Sequence, residues 1–230
     1  MIAGGARREN PAWSYEDLAL FLGAMLPCFA VALLLVHRIR FPSDGVQTMA
    51  LQLVFYTFLL GALYALIAGR YGEPFWRSLG WIFPSRGAWL CILAGPLLAI
   101  ALAALSAVLR APEEPVIQNL MTDRMSLIAV VVFGSLLAPI FEELVFRGFI
   151  FPLLARSLGA WPGIFLTALA FALLHGSQFH WSWQSILIIG LAGIAFGLAR
   201  YKTGSTAAAT AIHVGYNSTL FAVFLVQRAA

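Results

Sequence analysis

The chain has 230 residues, 61% hydrophobic and only 10% charged, with a mean hydropathy of +0.88 and a formal charge of +4. A soluble domain carries about a quarter charged residues, so a water-covered globular fold is excluded. The basic residues stand mostly between long apolar stretches, not in a dense cluster with interleaved aromatics. That pattern excludes nucleic acid as a partner and points to the lipid bilayer.

Crossing a ~30 Å hydrocarbon core takes about 20 apolar residues. The N-terminus, with Arg7, Arg8 and Glu9 and then Glu16 and Asp17, lacks the order of a signal peptide. The first apolar block, 18–36, is therefore expected to stay as a membrane anchor; it ends at His37-Arg38. A second block covers 48–68 and closes at Gly69-Arg70. The polar stretch that follows holds Glu73, Pro74, Arg77, Pro84 and Arg86 with Trp76 and Trp81, a mixture suited to the headgroup level. Block three covers 88–109. Residues 110–124 read as a loop with Pro112, Glu113, Glu114 and Pro115.

Block four, 126–158, is interrupted by Pro139 and Pro152. Proline removes a backbone bond and clashes with the preceding turn, so a kinked or broken fourth span is expected. Blocks five (161–174, ending at His175-Gly176), six (183–199, ending at Arg200 and Lys202) and seven (205–226) complete the chain. The fold class predicted is an all-α polytopic transmembrane helix bundle of seven spans, or eight if block four or seven divides. It forms one integral membrane domain, with 1–125 as supporting helices and 126–230 as the functional bundle. Cys28 and Cys91 read as small apolar packing residues. With the N-terminus inside, inner segments carry Arg7, Arg8, Arg70, Arg77, Arg86, Arg156, Arg200 and Lys202, and outer ones carry Arg38, Arg40, Arg110, Arg124 and Arg228. Eight against five favours a cytoplasmic N-terminus.

The first three spans hold no ionisable residue in their interiors, and the polar chemistry collects in blocks four to seven. Charges at membrane depth cost at least ~2.5–3.5 kcal/mol each, so adjacent Glu142 and Glu143 need an explanation. Glu143 and Arg147 are four apart with the acid first, the favourable order for a helical ion pair. Glu142 points about 100° away around the helix and keeps no partner in its own segment. A carboxylate in such a poorly solvated place suits a general base. His175 closes block five, and His213 and Asn217 share one face of block seven. A carboxylate, two imidazoles and an amide on three segments resemble a hydrolytic site, with a base, a partner for water and donors for an oxyanion. Taken singly, each has a plainer account: interhelical hydrogen-bonding for the histidines and Asn217, a structural ion pair for the glutamates. There is no Gly-x-Ser-x-Gly elbow and no His-Glu-x-x-His helix. Asp17, Asp44 and Asp123 lie at block edges or in loops, and neither cysteine is in the polar half.

Glu142-Glu143-Leu-Val-Phe-Arg147 matches a Glu-Glu-x-x-x-Arg motif, Phe171-Ala-Leu-Leu-His175 a Phe-x-x-x-His motif, and His213-Val-Gly-Tyr-Asn217 a His-x-x-x-Asn motif. With these three in order, and with Gly193, Gly197 and Thr203-Gly204-Ser205 before the third, residues 126–221 resemble the CPBP family. This is the CAAX-type prenyl-protease and bacteriocin-processing group, also called Abi. The resemblance implies an intramembrane glutamic-type endopeptidase. On it, Glu142 and His175 would activate water, His213 and Asn217 would stabilise the oxyanion, Glu143 and Arg147 would brace the site, and Phe171 would pack beneath His175. It implies no cofactor. Zinc held by Glu142, His175 and His213 is the alternative, since carboxylate and imidazole are suitable ligands.

The partner expected is a membrane-embedded or lipid-anchored protein or peptide, cleaved near its C-terminus. Richness in Ala, Leu and Arg with a single lysine suggests a GC-rich bacterium and its cytoplasmic membrane. It also makes a peptide or protein tail a better fit than a prenylated substrate. Two other readings compete: a non-catalytic immunity or scaffold protein, and a proton-coupled transporter. The latter is weakened by the lack of an inverted repeat.

Overall fold

The computed structural model describes residues 11–83, 88–112 and 116–229. Arg7, Arg8, Glu9, Pro84, Arg86, Glu113, Glu114 and Pro115 lie outside them. Helices joined by short turns and loops make up the described residues, among which there is no strand. The principal helices are α1 (Tyr15–Val36), α2 (Asp44–Arg70), a single-turn α3 (Phe75–Ser78), α4 (Ala88–Leu109), α5 (Arg124–Leu158), α6 (Ala160–Leu174), α7 (Trp183–Thr203) and α8 (Thr206–Ala229). All seven apolar blocks are helices. Six of them are long and apolar enough to cross a membrane. The fifth block, α6, has 15 residues, about 22 Å at 1.5 Å per residue, and falls short of the hydrocarbon thickness. The chain is a polytopic helical membrane protein. Many large apolar side chains face outward, among them Leu26, Leu97, Ile100 and Val226, as a lipid-facing surface requires.

Helix starts follow ordinary capping chemistry. Ser14 and Asp17 form a capping box on α1, with the Ser14 N–H donating to Asp17 Oδ2 at 2.7 Å. Tyr71 donates to the same carboxylate, joining the start of α1 to the end of α2. Asp123 caps α5, accepting from the N–H groups of Met125 and Ser126 at 2.8 and 3.0 Å. The Ser126 hydroxyl, with those N–H groups, holds the Asp123 carboxyl below the usual carboxylate range.

Close packing uses small residues. α4 lies along α8 where Gly95 meets Gly215; a Cβ on Gly95 would stand 2.5 Å from the Ile212 carbonyl oxygen. On α7, Gly193 and Gly197 face Ala168 and Ile164 of α6 in the same way. Gly159, at φ +93°, turns the chain from α5 directly back into α6, a conformation that L side chains avoid.

Of the two forms expected for the fourth span, kinked or broken, the break does not occur in α5. It runs unbroken for 35 residues, and Pro139 and Pro152 lie inside it. Ahead of each proline the helix widens to a π turn, at Phe133–Leu137 and Leu144–Ile150. The hydrogen-bond ladder shifts register where proline would otherwise have ended it. This long helix carries Glu142, Glu143 and Arg147 through the centre of the bundle.

The contact between α4 and α8 yields a stability test. Gly95→Ala, whose Cβ would meet α8 backbone, is expected to lower stability by about 1–3 kcal/mol. Gly23→Ala on α1, where a Cβ meets nothing within 4 Å, is expected to leave it unchanged or slightly raised. Melting of both variants in detergent measures the difference.

Candidate active site

The site begins with a charge pair inside the bundle. Glu143 and Arg147 are both fully buried, and Arg147 Nη1 donates to Glu143 Oε1 at 3.0 Å. One turn of helix brings them together. Arg147 Nη2 donates to the Gly193 carbonyl of α7 at 2.7 Å. Gly193 allows this approach, since a Cβ there would stand 3.3 Å from Nη2. The guanidinium also lies over the rings of Phe171 (4.9 Å) and Phe196 (5.4 Å), which favours the cation further.

His213 is the second partner of Glu143. Its Nδ1 donates to Glu143 Oε1 at 2.9 Å, and its ring stacks on Phe196 at 4.3 Å between centroids. This fixes the ring, so Nε2 faces Glu142, 3.8 Å from Oε2. His213 thus stands between two adjacent glutamates. The Arg147 and His213 bonds both fall on Glu143 Oε1, and Oε2 is buried without a hydrogen-bond partner among the described residues. Glu142 has no such pairing and keeps 14% of its side chain exposed.

Glu142 has a further neighbour from the N-terminal half. The Tyr56 hydroxyl of α2 donates to Glu142 Oε1 at 3.5 Å, and Gln52 donates to that hydroxyl at 3.2 Å. Rings of Phe133 and Phe141 hold Tyr56 in place, at 5.8 and 5.0 Å. The expectation that the first three spans lack interior ionisable groups overlooked this phenol. Its sequence signal was Gln52 and Tyr56, four apart in a mostly apolar block.

His175 and Asn217 are placed by backbone carbonyls. His175 is the C-cap of α6, where the last carbonyls lack helical donors. Its Nδ1 donates to the Phe171 carbonyl at 2.7 Å, so its own ring closes the helix end. That bond fixes the tautomer and leaves Nε2 with a lone pair. Phe171 lies under His175 at 4.5 Å and also meets His213 at 5.7 Å edge-on, so one ring links the two histidines. Asn217 Nδ2 donates to the Gly134 carbonyl of α5 at 2.8 Å.

The structure therefore gathers Glu142, Glu143, Arg147, His213 and Phe171 into one contact network, joins His175 to it through Phe171, and sets Asn217 one turn away on the α5 face of α8. Among the described residues no three His, Cys, Asp or Glu side chains group closely enough to hold a metal ion.

Residues 124–219 match the family model described as Type II CAAX prenyl endopeptidase Rce1-like. No curated protein and no solved structure matches the chain.

The buried pair sets an expected outcome. Arg147→Met would strand Glu143 beside a single imidazole and leave the Gly193 carbonyl without its donor. A loss of about 3–5 kcal/mol is expected. Adding Glu143→Gln should recover part of it in the same detergent melt.

Proposed function

On the premise that residues 124–219 place this chain in the CAAX-protease family, we propose that it cleaves a peptide bond near the C-terminus of a membrane-associated protein, using water activated by Glu142 and His175. The family and the membrane-spanning helices support an intramembrane endopeptidase in general. One observation carries the finer reading. Of two neighbouring glutamates at membrane depth, Glu143 is fully buried with Oε1 bonded to both Arg147 and His213, while Glu142 is partly exposed and has only looser contacts to Tyr56 and His213.

In this mechanism Glu142 takes a proton from water as the oxygen attacks the scissile carbonyl carbon. His175, with Nδ1–H committed to Phe171, accepts the other water hydrogen through Nε2 and orients the nucleophile. The carbonyl oxygen becomes an oxyanion. His213, whose Nε2 faces Glu142, and Asn217, through its second N–H, stabilise it. When the C–N bond breaks, Glu142 returns its proton to the leaving amine. Glu143 and Arg147 hold His213 in register throughout. The expected setting is a bacterial cytoplasmic membrane with the N-terminus inside, from the composition and the Lys/Arg balance.

Glu142→Gln keeps the volume and removes the base. It should insert normally yet lower cleavage by at least about a hundredfold, read by comparing protein C-termini in membranes of wild-type and variant cells. Unchanged C-termini with an intact phenotype would favour a scaffold; substrate-driven proton flux in liposomes would favour a transporter. Tyr56→Phe removes only the hydroxyl on Glu142. It should slow turnover by about tenfold, worth ~1.4 kcal/mol, with little change in melting.

A further inference from the structure

We propose that Arg200 is a positioning residue of this site, holding the turn that carries Arg147 through a backbone carbonyl that Pro152 leaves without its donor. The observation is a pattern repeated along α5. In the first π turn the Ala138 N–H donates to the Phe133 carbonyl, five residues back. The next rung would run from residue 139 to the Gly134 carbonyl, but residue 139 is proline and has no N–H. In the second π turn the Phe151 N–H donates to the Phe146 carbonyl. Its next rung would run from residue 152 to the Arg147 carbonyl, and residue 152 is again proline. The segments Phe133-Gly-Ser-Leu-Leu-Ala-Pro139 and Phe146-Arg-Gly-Phe-Ile-Phe-Pro152 share this spacing.

A backbone carbonyl without a donor at membrane depth is costly, and a proline inside a spanning helix is tolerated when neighbours satisfy the freed group. Both carbonyls are satisfied from other helices. Asn217 Nδ2 of α8 donates to Gly134 at 2.8 Å, and Arg200 Nε of α7 donates to Arg147 at 3.2 Å. The same device thus occurs twice, with a different helix supplying the donor each time.

The second instance bears on the chemistry. Arg147 is held by α7 at two points: its side chain by the Gly193 carbonyl and its backbone by Arg200. Together they set where the guanidinium meets Glu143, and so where His213 faces Glu142. Arg200 is itself confined. The 79–82 loop passes over it, and a Cβ on Gly80 would stand 2.6 Å from Arg200 Nη2. Thr206 at the start of α8 pins that loop, its N–H donating to the Gly80 carbonyl at 2.8 Å and its hydroxyl to that of Leu79. The first instance gives Asn217 a share in the same architecture: one N–H holds α5 to α8, leaving the other for the oxyanion of the proposed reaction.

The test uses two replacements, Arg200→Gln and Arg200→Met, that both remove the charge. The glutamine side chain keeps an N–H at the place of the arginine Nε; the methionine side chain does not. Arg200→Gln should retain most activity. Arg200→Met should melt roughly 4–8 °C lower and, well below its melting temperature, cleave about tenfold more slowly. Pro152→Ala restores a backbone N–H for the Arg147 carbonyl, so in that background Arg200→Met should lose little on either measure. Full-length protein in detergent gives the melting values, and the C-termini left unprocessed by Glu142→Gln report cleavage. The proposal is overturned if Arg200→Met and Arg200→Gln behave alike, or if the Arg200→Met defect is as large in the Pro152→Ala background as in the wild type. Its effect on cleavage rests on the protease reading, but the melting cycle does not. A wild type that cleaves nothing would sink that reading and leave the capping to be judged by melting alone.

Discussion

The arrangement of the central helices depends on one buried guanidinium. Arg147 is fully enclosed, and its charge is met by the Glu143 carboxylate, the Gly193 carbonyl and the faces of Phe171 and Phe196. Each ion alone would be expensive at membrane depth. Together they form a compact neutral unit with nearly fixed geometry, because the planar fork of arginine has few ways to meet both acceptors. Other features follow from this. Gly193 gives α7 a close approach, a Cβ there standing 3.1 Å from Ala168, and His213 turns Nδ1 to the same Glu143 oxygen that Arg147 holds.

That unit divides the work of two adjacent glutamates. They share a helix and differ by about 100° in direction. Glu143 faces the arginine and the histidine, while Glu142 faces Tyr56 and the far edge of His213 and keeps 14% of its side chain exposed. A carboxylate with a fixed neighbour and few competing partners is suited to taking and returning a proton. His175 comes to the same chemistry by another route. As a helix C-cap it satisfies its own helix end, and that bond decides which ring nitrogen remains free.

The N-terminal half does more than surround this centre. Tyr56 reaches Glu142 from α2. Trp13, which precedes α1, inserts beside Phe149 and donates to its carbonyl at 3.0 Å, and Arg156 near the end of α5 donates back to Pro11 and Trp13. The 79–82 loop closes over Arg200. Residues before 124 thus fix both the direction and the far end of the helix that carries the glutamates, although the family match begins only at residue 124.

The sequence by itself determined the membrane class, the apolar helices and the pairing of Glu143 with Arg147. Each follows from short-range rules: residue composition, block length and the four-residue repeat of a helix. The same rules identified Glu142, His175, His213 and Asn217 as residue types worth gathering. Tertiary structure alone decided the rest. Continuous passage of α5 through Pro139 and Pro152 needs donors from Asn217 and Arg200, which lie far along the chain. Tyr56 beside Glu142 depends on how α2 leans on α5, and the short α6 ends where His175 can cap it. Local periodicity specifies which face of a helix is polar, but not which helix meets that face. That choice belongs to carbonyls, small residues and ring stacks that pair only when the bundle closes.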